Sequence, residues 1–132
     1  MRRPVPLSRD DRGSAPAEFV MVGALLTVLT LSVLQLGLAL HIRNTVLDAA
    51  SEGARYASLA DNTLADGAGR TRDLITTAIG SGYARDVSAV SGEYLGHPSA
   101  IVTVRTPLPL IGLVGIDGGL EVSGHAALET LE

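Results

Sequence analysis

The sequence predicts an α+β fold: a long N-terminal transmembrane helix continuing into a small domain with a short helix and an antiparallel sheet. Three observations predict it. Residues 19–40 carry no charged side chain. Helical periodicity then continues without a break to Ala60. Beyond that point the pattern changes to short alternating runs separated by glycine-containing turns, which suits strands.

At 132 residues the chain allows one domain and leaves little room for a second. Apolar residues make up 46% and the mean hydropathy is +0.32, high for a small soluble domain. Only 3% are aromatic, so the core must come from Leu, Ile, Val and Ala and will be modest. Absence of cysteine removes disulfides, thiol catalysis and Cys-based metal sites together. The net charge is −4, and no basic patch follows the first dozen residues, so nucleic acid is not an expected partner.

Phe19 to Leu40 reads as the membrane span. As a helix this run is roughly 33 Å long, enough to cross the hydrocarbon core. Its hydroxyls on Thr27, Thr30 and Ser32 can bond back to their own backbone. A soluble partner domain this small could not surround such a helix on all sides. Arg2, Arg3, Arg9 and Arg12 precede the span, offset by Asp10 and Asp11, while Arg43 is the nearest Arg after it. The positive-inside rule then keeps the N-terminus in the cytoplasm and places the C-terminal domain outside. From His41 onward there are 6 Arg against 11 Asp and Glu, so the exported part is acidic. A cleaved secretory signal is the rival reading, with Gly37-Leu38-Ala39 as its small-x-small site.

After the span, Ile42, Val46, Ala49, Gly53, Tyr56 and Ala60 form an apolar or small stripe on one helical face. Glu52 and Arg55 lie off the stripe at pairing distance. Asp61-Asn62 ends the helix, and Asp66-Gly67-Ala68-Gly69 reads as a loop. Thr71–Ile79 is expected as a second helix burying Leu74, Ile75, Ala78 and Ile79, stopped by Gly80-Ser81-Gly82. Strands are expected at Val87–Tyr94, Ala100–Thr106 and Leu120–Leu128, with Gly96-His97-Pro98 as the first turn. The domains are thus 1–13, a cytoplasmic leader; 14–60, the long helix; and 61–132, an extracytoplasmic α+β domain.

Nothing in the pattern suggests catalysis. His41, His97 and His125 are scattered, and no metal-ligand spacing, nucleophile elbow or phosphate loop is present. No enzyme activity, cofactor or metal is expected. Glu18 is the more informative residue, because a carboxylate at the mouth of a span is costly to carry deeper into lipid. Its plain reading is an interfacial charge favoured by the N-terminal end of the helix dipole.

Two blocks change that reading. Arg12-Gly13-Ser14-Ala15-Pro16-Ala17-Glu18-Phe19 resembles the processing site of class III signal sequences in type IV pilins and pseudopilins. Ala49-Ala50-Ser51-Glu52-Gly53-Ala54-Arg55-Tyr56-Ala57 is similar to TadE-like proteins, minor pseudopilins of tight-adherence (Tad/Flp) pilus systems. Two departures from the family pattern are Pro16, unusually near the cut, and Gln35-Leu36-Gly37, where many relatives carry Glu-Phe-Gly.

The resemblance implies that a prepilin peptidase cuts between Gly13 and Ser14. Glu18 then becomes the fifth mature residue and neutralises the Ser14 amine of a neighbouring subunit. Cleavage would remove four Arg and two Asp, leaving the mature chain at −6. Other implied partners are pilin and pseudopilin subunits, the inner-membrane assembly platform and the lipid bilayer. The implied location is the cell membrane or the pilus itself, and the implied role is minor pseudopilin in pilus assembly. An unprocessed single-pass adaptor and a secreted protein remain alternatives. Two questions stay open in the sequence. Ala49, Ala50, Gly53, Ala54 and Ala57 either pack under the protein's own sheet or form a contact between subunits. Pro107–Gly119 is either a tucked-in loop or an apolar patch for a partner.

Overall fold

A computed structural model of the chain describes residues 2–4, 13–109 and 115–129. Among these the fold is α+β, as expected, and divides into two compact units, Met1–Leu34 and Gln35–Glu132. Most of the leader, with Arg9, Asp10, Asp11 and Arg12, lies outside the described residues. So do Leu110, Ile111, Leu113 and Val114 of the apolar stretch.

Helix α1 spans Ser14–Ser58 and passes through both units. Gly13 forms a turn immediately before it. Pro16 is the third helical residue, where its missing N–H costs nothing because the first four amides have no intrahelical acceptor. The first unit consists of this helix's apolar part. Its large side chains are open, from 54% exposed at Val22 to 79% at Phe19. The hydroxyls are satisfied as the composition requires: Thr27, Thr30 and Ser32 donate to the carbonyls of Gly23, Leu26 and Val28 at 2.8, 2.8 and 2.7 Å.

The second unit contains the rest of α1, then α2 (Leu64–Ile79), a short 3-10 turn (Ser81–Tyr83), β1 (Asp86–Tyr94), β2 (His97–Pro109) and β3 (Gly115–Ala127). The helix α1 ends two residues before the expected Ala60. Asn62 caps it by donating its side-chain amide to the Tyr56 carbonyl at 2.8 Å, and the Glu129 N–H donates to the Ser58 carbonyl at 3.0 Å.

The expected Asp66–Gly69 loop is instead the opening of α2. Glycines at 67 and 69 read as loop signals, but a capping box outweighs their low propensity. The Asp66 N–H donates to Thr63 Oγ1 at 3.1 Å, and the Thr63 N–H donates to the Asp66 carboxylate at 2.8 Å. These bonds, the backbone one first, hold the Asp66 carboxyl below its ordinary 3.8. The buried face of α2 therefore shifts toward its start. It comprises Gly67, Ala68, Thr71 and Ile75, with Leu74 and Ile79 half-buried and Ala78 exposed.

The strands form one antiparallel sheet in the order β1-β2-β3. Tyr94 pairs with His97, so the first turn is Leu95-Gly96 and not Gly96-His97-Pro98. Both turn residues have positive φ, 52° and 81°, as a two-residue hairpin of the primed type requires. Both ends of the Pro107–Gly119 stretch are strand: β2 runs on to Pro109, and β3 starts at Gly115. Alternation sends Val87, Val102, Val104, Leu120 and Val122 inward, where they meet Ile42, Val46, Ala50, Ala54 and Ile75 in one core. Arg72 ties α2 to the sheet, donating to the Val87 carbonyl at 2.8 Å.

Candidate functional site

The residues singled out by sequence fall into two groups far apart along α1. Gly13, Ser14 and Glu18 stand at its start. Gly13 and Ser14 are exposed, and Glu18 is an exposed helical residue one turn on, on the same side as Ser14. A turn followed directly by a helix start leaves the 13–14 bond at a boundary rather than inside regular structure.

The second group, Ala49 to Ala57, sits in the core of the second unit. Ala49, Ala50, Gly53, Ala54 and Ala57 are buried, while Arg55 and Tyr56 are exposed. The stripe differs from the expected one in its last members, because Tyr56 and Ala60 face solvent and Ala50, Ala54 and Ala57 face inward. The reason is that two elements cover this part of the helix, so the buried face is broader than a single row.

The first of these is α2. A Cβ on Gly53 would stand 2.7 Å from the Gly67 carbonyl oxygen and collide with the Thr71 hydroxyl. A Cβ on Gly67 would stand 2.6 Å from the Gly53 carbonyl oxygen and 2.5 Å from Ala57 Cβ. Two backbones in such contact exclude any side chain between them. Thr71 Oγ1 lies 3.0 Å from the Gly67 carbonyl and 3.3 Å from that of Ala49, so its one proton joins the two helices. The second is β3: a Cβ on Gly124 would stand 2.5 Å from the Ala50 carbonyl oxygen. The small residues thus pack within the protein's own fold, and Ala50 and Ala54 have no exposed surface to offer another subunit.

Gly67, Thr71 and Gly124 were missed as partners of this block. The Thr63-x-x-Asp66 pattern was available in the sequence and would have placed Gly67 and Thr71 on a helix. No local signal marks Gly124 as the residue opposite Ala50.

The charged members of the block do little for stability. Glu52 and Arg55 approach to 3.8 Å with side chains 43% and 76% exposed, a geometry worth well under about 1 kcal/mol. On the open side of the sheet Arg105 donates to Glu121 at 2.8 Å, which raises the guanidinium further above its ordinary value. His125 stacks on Tyr94 with ring centroids 4.1 Å apart. An open groove of about 430 Å³ lies between α1 and α2, lined by Thr45, Asp48, Ala49, Glu52, Leu74 and Ala78. Among the described residues no three His, Asp or Glu side chains gather as a metal site would need.

Residues 13–55 match the family described as TadE-like protein, and the match starts at Gly13. It covers the first group, the apolar run and most of the second group. No curated protein and no solved structure matches the chain. The resemblance read from the two sequence blocks is therefore present over that segment, about a third of the chain.

Proposed function

We propose, from a TadE-like segment spanning residues 13–55, that the chain is a minor pseudopilin taking part in assembly of a Tad-type pilus. In this reading a prepilin peptidase cuts between Gly13 and Ser14. The N-terminus starts in the cytoplasm, residues 19–40 cross the cell membrane, and the domain of the second unit lies outside. Pilin and pseudopilin subunits and the inner-membrane assembly platform are its partners. The observation that carries the proposal is the coincidence at residue 13. The family match, the turn and the helix start all fall at Gly13–Ser14, and an open apolar helix follows. That helix is long and apolar enough to cross a bilayer.

Glu18 gains its role from the cut. A new α-amino group on Ser14 is positive near neutral pH. Brought with its helix into an apolar filament, it needs a counter-charge, and the carboxylate of a neighbour's Glu18 supplies one. Loss of the leader Arg residues removes the basic anchor that opposes extraction from the bilayer.

The test is the N-terminal mass of membrane-extracted protein made beside the cognate peptidase. It should begin at Ser14, and Gly13→Leu should abolish this. A mature protein beginning at Met1 leaves an unprocessed adaptor, and one beginning after Ala39 leaves a secreted protein. Glu18→Gln should still be cleaved yet fail to cross-link to other pilus subunits. Normal cross-linking by the cleaved variant rejects the pairing alone.

A further inference from the structure

The turn between β1 and β2 carries a residue that turn chemistry does not favour. A two-residue hairpin of this type needs positive φ at both central positions, which Asn, Asp and Gly adopt most readily. The first position here is Leu95, at φ 52°, the one non-glycine residue with positive φ among the described residues. It is also the most exposed large apolar side chain among them, at 81%. A leucine in that conformation crowds its own backbone and gains nothing from burial in return. A residue held so against its preference points to a use outside the fold. Tyr94, just before it, is fixed by its stack on His125, so the knob stands on a rigid base. The N–H groups of Leu95 and Gly96 have no acceptor among the described residues.

The groove between α1 and α2 is its counterpart. Ala49, Leu74 and Ala78 give its volume of about 430 Å³ an apolar floor, and the carboxylates of Asp48 and Glu52 stand on its rim. Asp48 has no partner among the described residues, and Glu52 approaches Arg55 at 3.8 Å. Such a floor suits a leucine side chain, and the rim carboxylates can accept from the free N–H groups of the turn.

One molecule cannot bring its own two parts together. β3 runs from Gly124 beside Ala50 to the Glu129 N–H at the Ser58 carbonyl, so antiparallel β2 begins near Ser58 with the turn beyond it. The groove lies back along α1 between Glu52 and Thr45, about 9 to 20 Å from Ser58. Turn and groove both belong to the second unit, so their separation is built into it.

We propose that the Leu95 turn of one copy seats in the α1–α2 groove of a second copy. A second copy is the occupant because the same chain carries both halves, apolar side chain facing apolar floor and free donors facing free acceptors. Each seated copy keeps one turn or one groove open, so the contact is head to tail and adds copies in a row instead of closing a pair. It draws on the second unit alone, whether or not the chain is cut at Gly13 or residues 19–40 cross a membrane.

The chain has no native cysteine, so cross-linking reports the contact directly. Full-length His97→Cys, beside the turn, and Ala78→Cys, in the groove, are mixed in detergent and treated with a short bismaleimide. The mixture should give a dimer that neither variant gives alone. Leu95→Asn added to the His97→Cys copy should cut its yield at least about tenfold. Asparagine suits the turn better than leucine does, so that copy should unfold at the same temperature or higher. Absence of the mixed dimer overturns the proposal. A yield that Leu95→Asn leaves unchanged assigns the contact to another surface and overturns it too. A dimer formed as readily by His97→Cys alone means that turn meets turn, which is again contrary. Capture of the His97→Cys copy by added pilus subunits, with no mixed dimer, gives the turn to a different partner and rejects self-association.

Discussion

The two halves of α1 follow opposite rules on one continuous backbone. Residues 19–34 carry large side chains, Phe19, Leu25, Leu29 and Leu34 among them, all exposed. The buried positions beyond Val46 are Ala49, Ala50, Gly53, Ala54, Ala57 and Ser58. A Cβ on Gly23 or Gly37 would meet nothing within 4 Å, whereas one on Gly53 has no room at all. The difference teaches what sets side-chain size on a helix. Lipid accepts any apolar shape, so in a helix that crosses a bilayer, as proposed for this one, size would serve only to cover the backbone with hydrocarbon. A folded neighbour has a fixed surface, and here α2 and β3 bring their own backbones against the helix. With few aromatics to fill space, this core closes by bringing backbones together.

The strongest way to break the comparison is to enlarge one glycine in each half. Gly53→Leu should cost more than about 3 kcal/mol and unfold the domain, since neither Thr71 nor the Gly67 carbonyl can yield. Gly37→Leu should change stability by less than about 0.5 kcal/mol. Urea unfolding in detergent, followed by tyrosine fluorescence, measures both, and equal losses would refute the contrast. Next in size is a charge in the open half. Leu29→Arg should raise the cost of membrane insertion by about 2.5–3.5 kcal/mol, read as a larger fraction released by alkaline extraction. An unchanged fraction would mean that residues 19–40 do not lie in hydrocarbon.

A smaller effect sharpens the account of α2, whose start places Gly67 beneath Gly53. Thr63→Ala should destabilise the domain by about 1 kcal/mol through loss of the cap. Because the folded Asp66 carboxyl titrates below its ordinary 3.8, its contribution is present above that pH and disappears as pH falls through the lowered value. The stability difference between the wild type and Asp66→Asn should therefore shrink below pH 3.8, and a constant difference would exclude the cap as its source. The least effect belongs to the exposed pair: Glu52→Ala should shift stability by no more than about 0.5 kcal/mol.

How much of this was legible in the sequence depends on the distance over which each signal acts. The uncharged run, the helical periodicity and the alternation in β3 are local, and they gave the helix, the strand faces and the fold class. Gly13 with Glu18 is local too, and so is the TadE-like block. The α2 boundary is not legible from propensity, because Gly67 and Gly69 both favour a loop. The Thr63–Asp66 pair outweighs that propensity, and the packing gap between α1 and α2 requires the glycine. Tyr56 continued the stripe by spacing, yet an exposed ring there shows that spacing alone does not say how wide the covered face is. Gly124 was invisible for a deeper reason. Its smallness matters only against Ala50, a residue nowhere near it in the chain.

That last contact has a consequence for the order of events in synthesis. The chain is made from its N-terminus, so the Ala49–Ala57 half of α1 emerges long before β3, the strand that seats against it. Until β3 arrives, the helix has only α2, β1 and β2 to pack against, and the Leu120 and Val122 positions of the core are vacant. Such a non-local closing step delays cooperative folding to the end of synthesis. A ribosome that stops within β3 would leave the long helix with part of its alanine face uncovered, an open surface that quality-control proteases recognise.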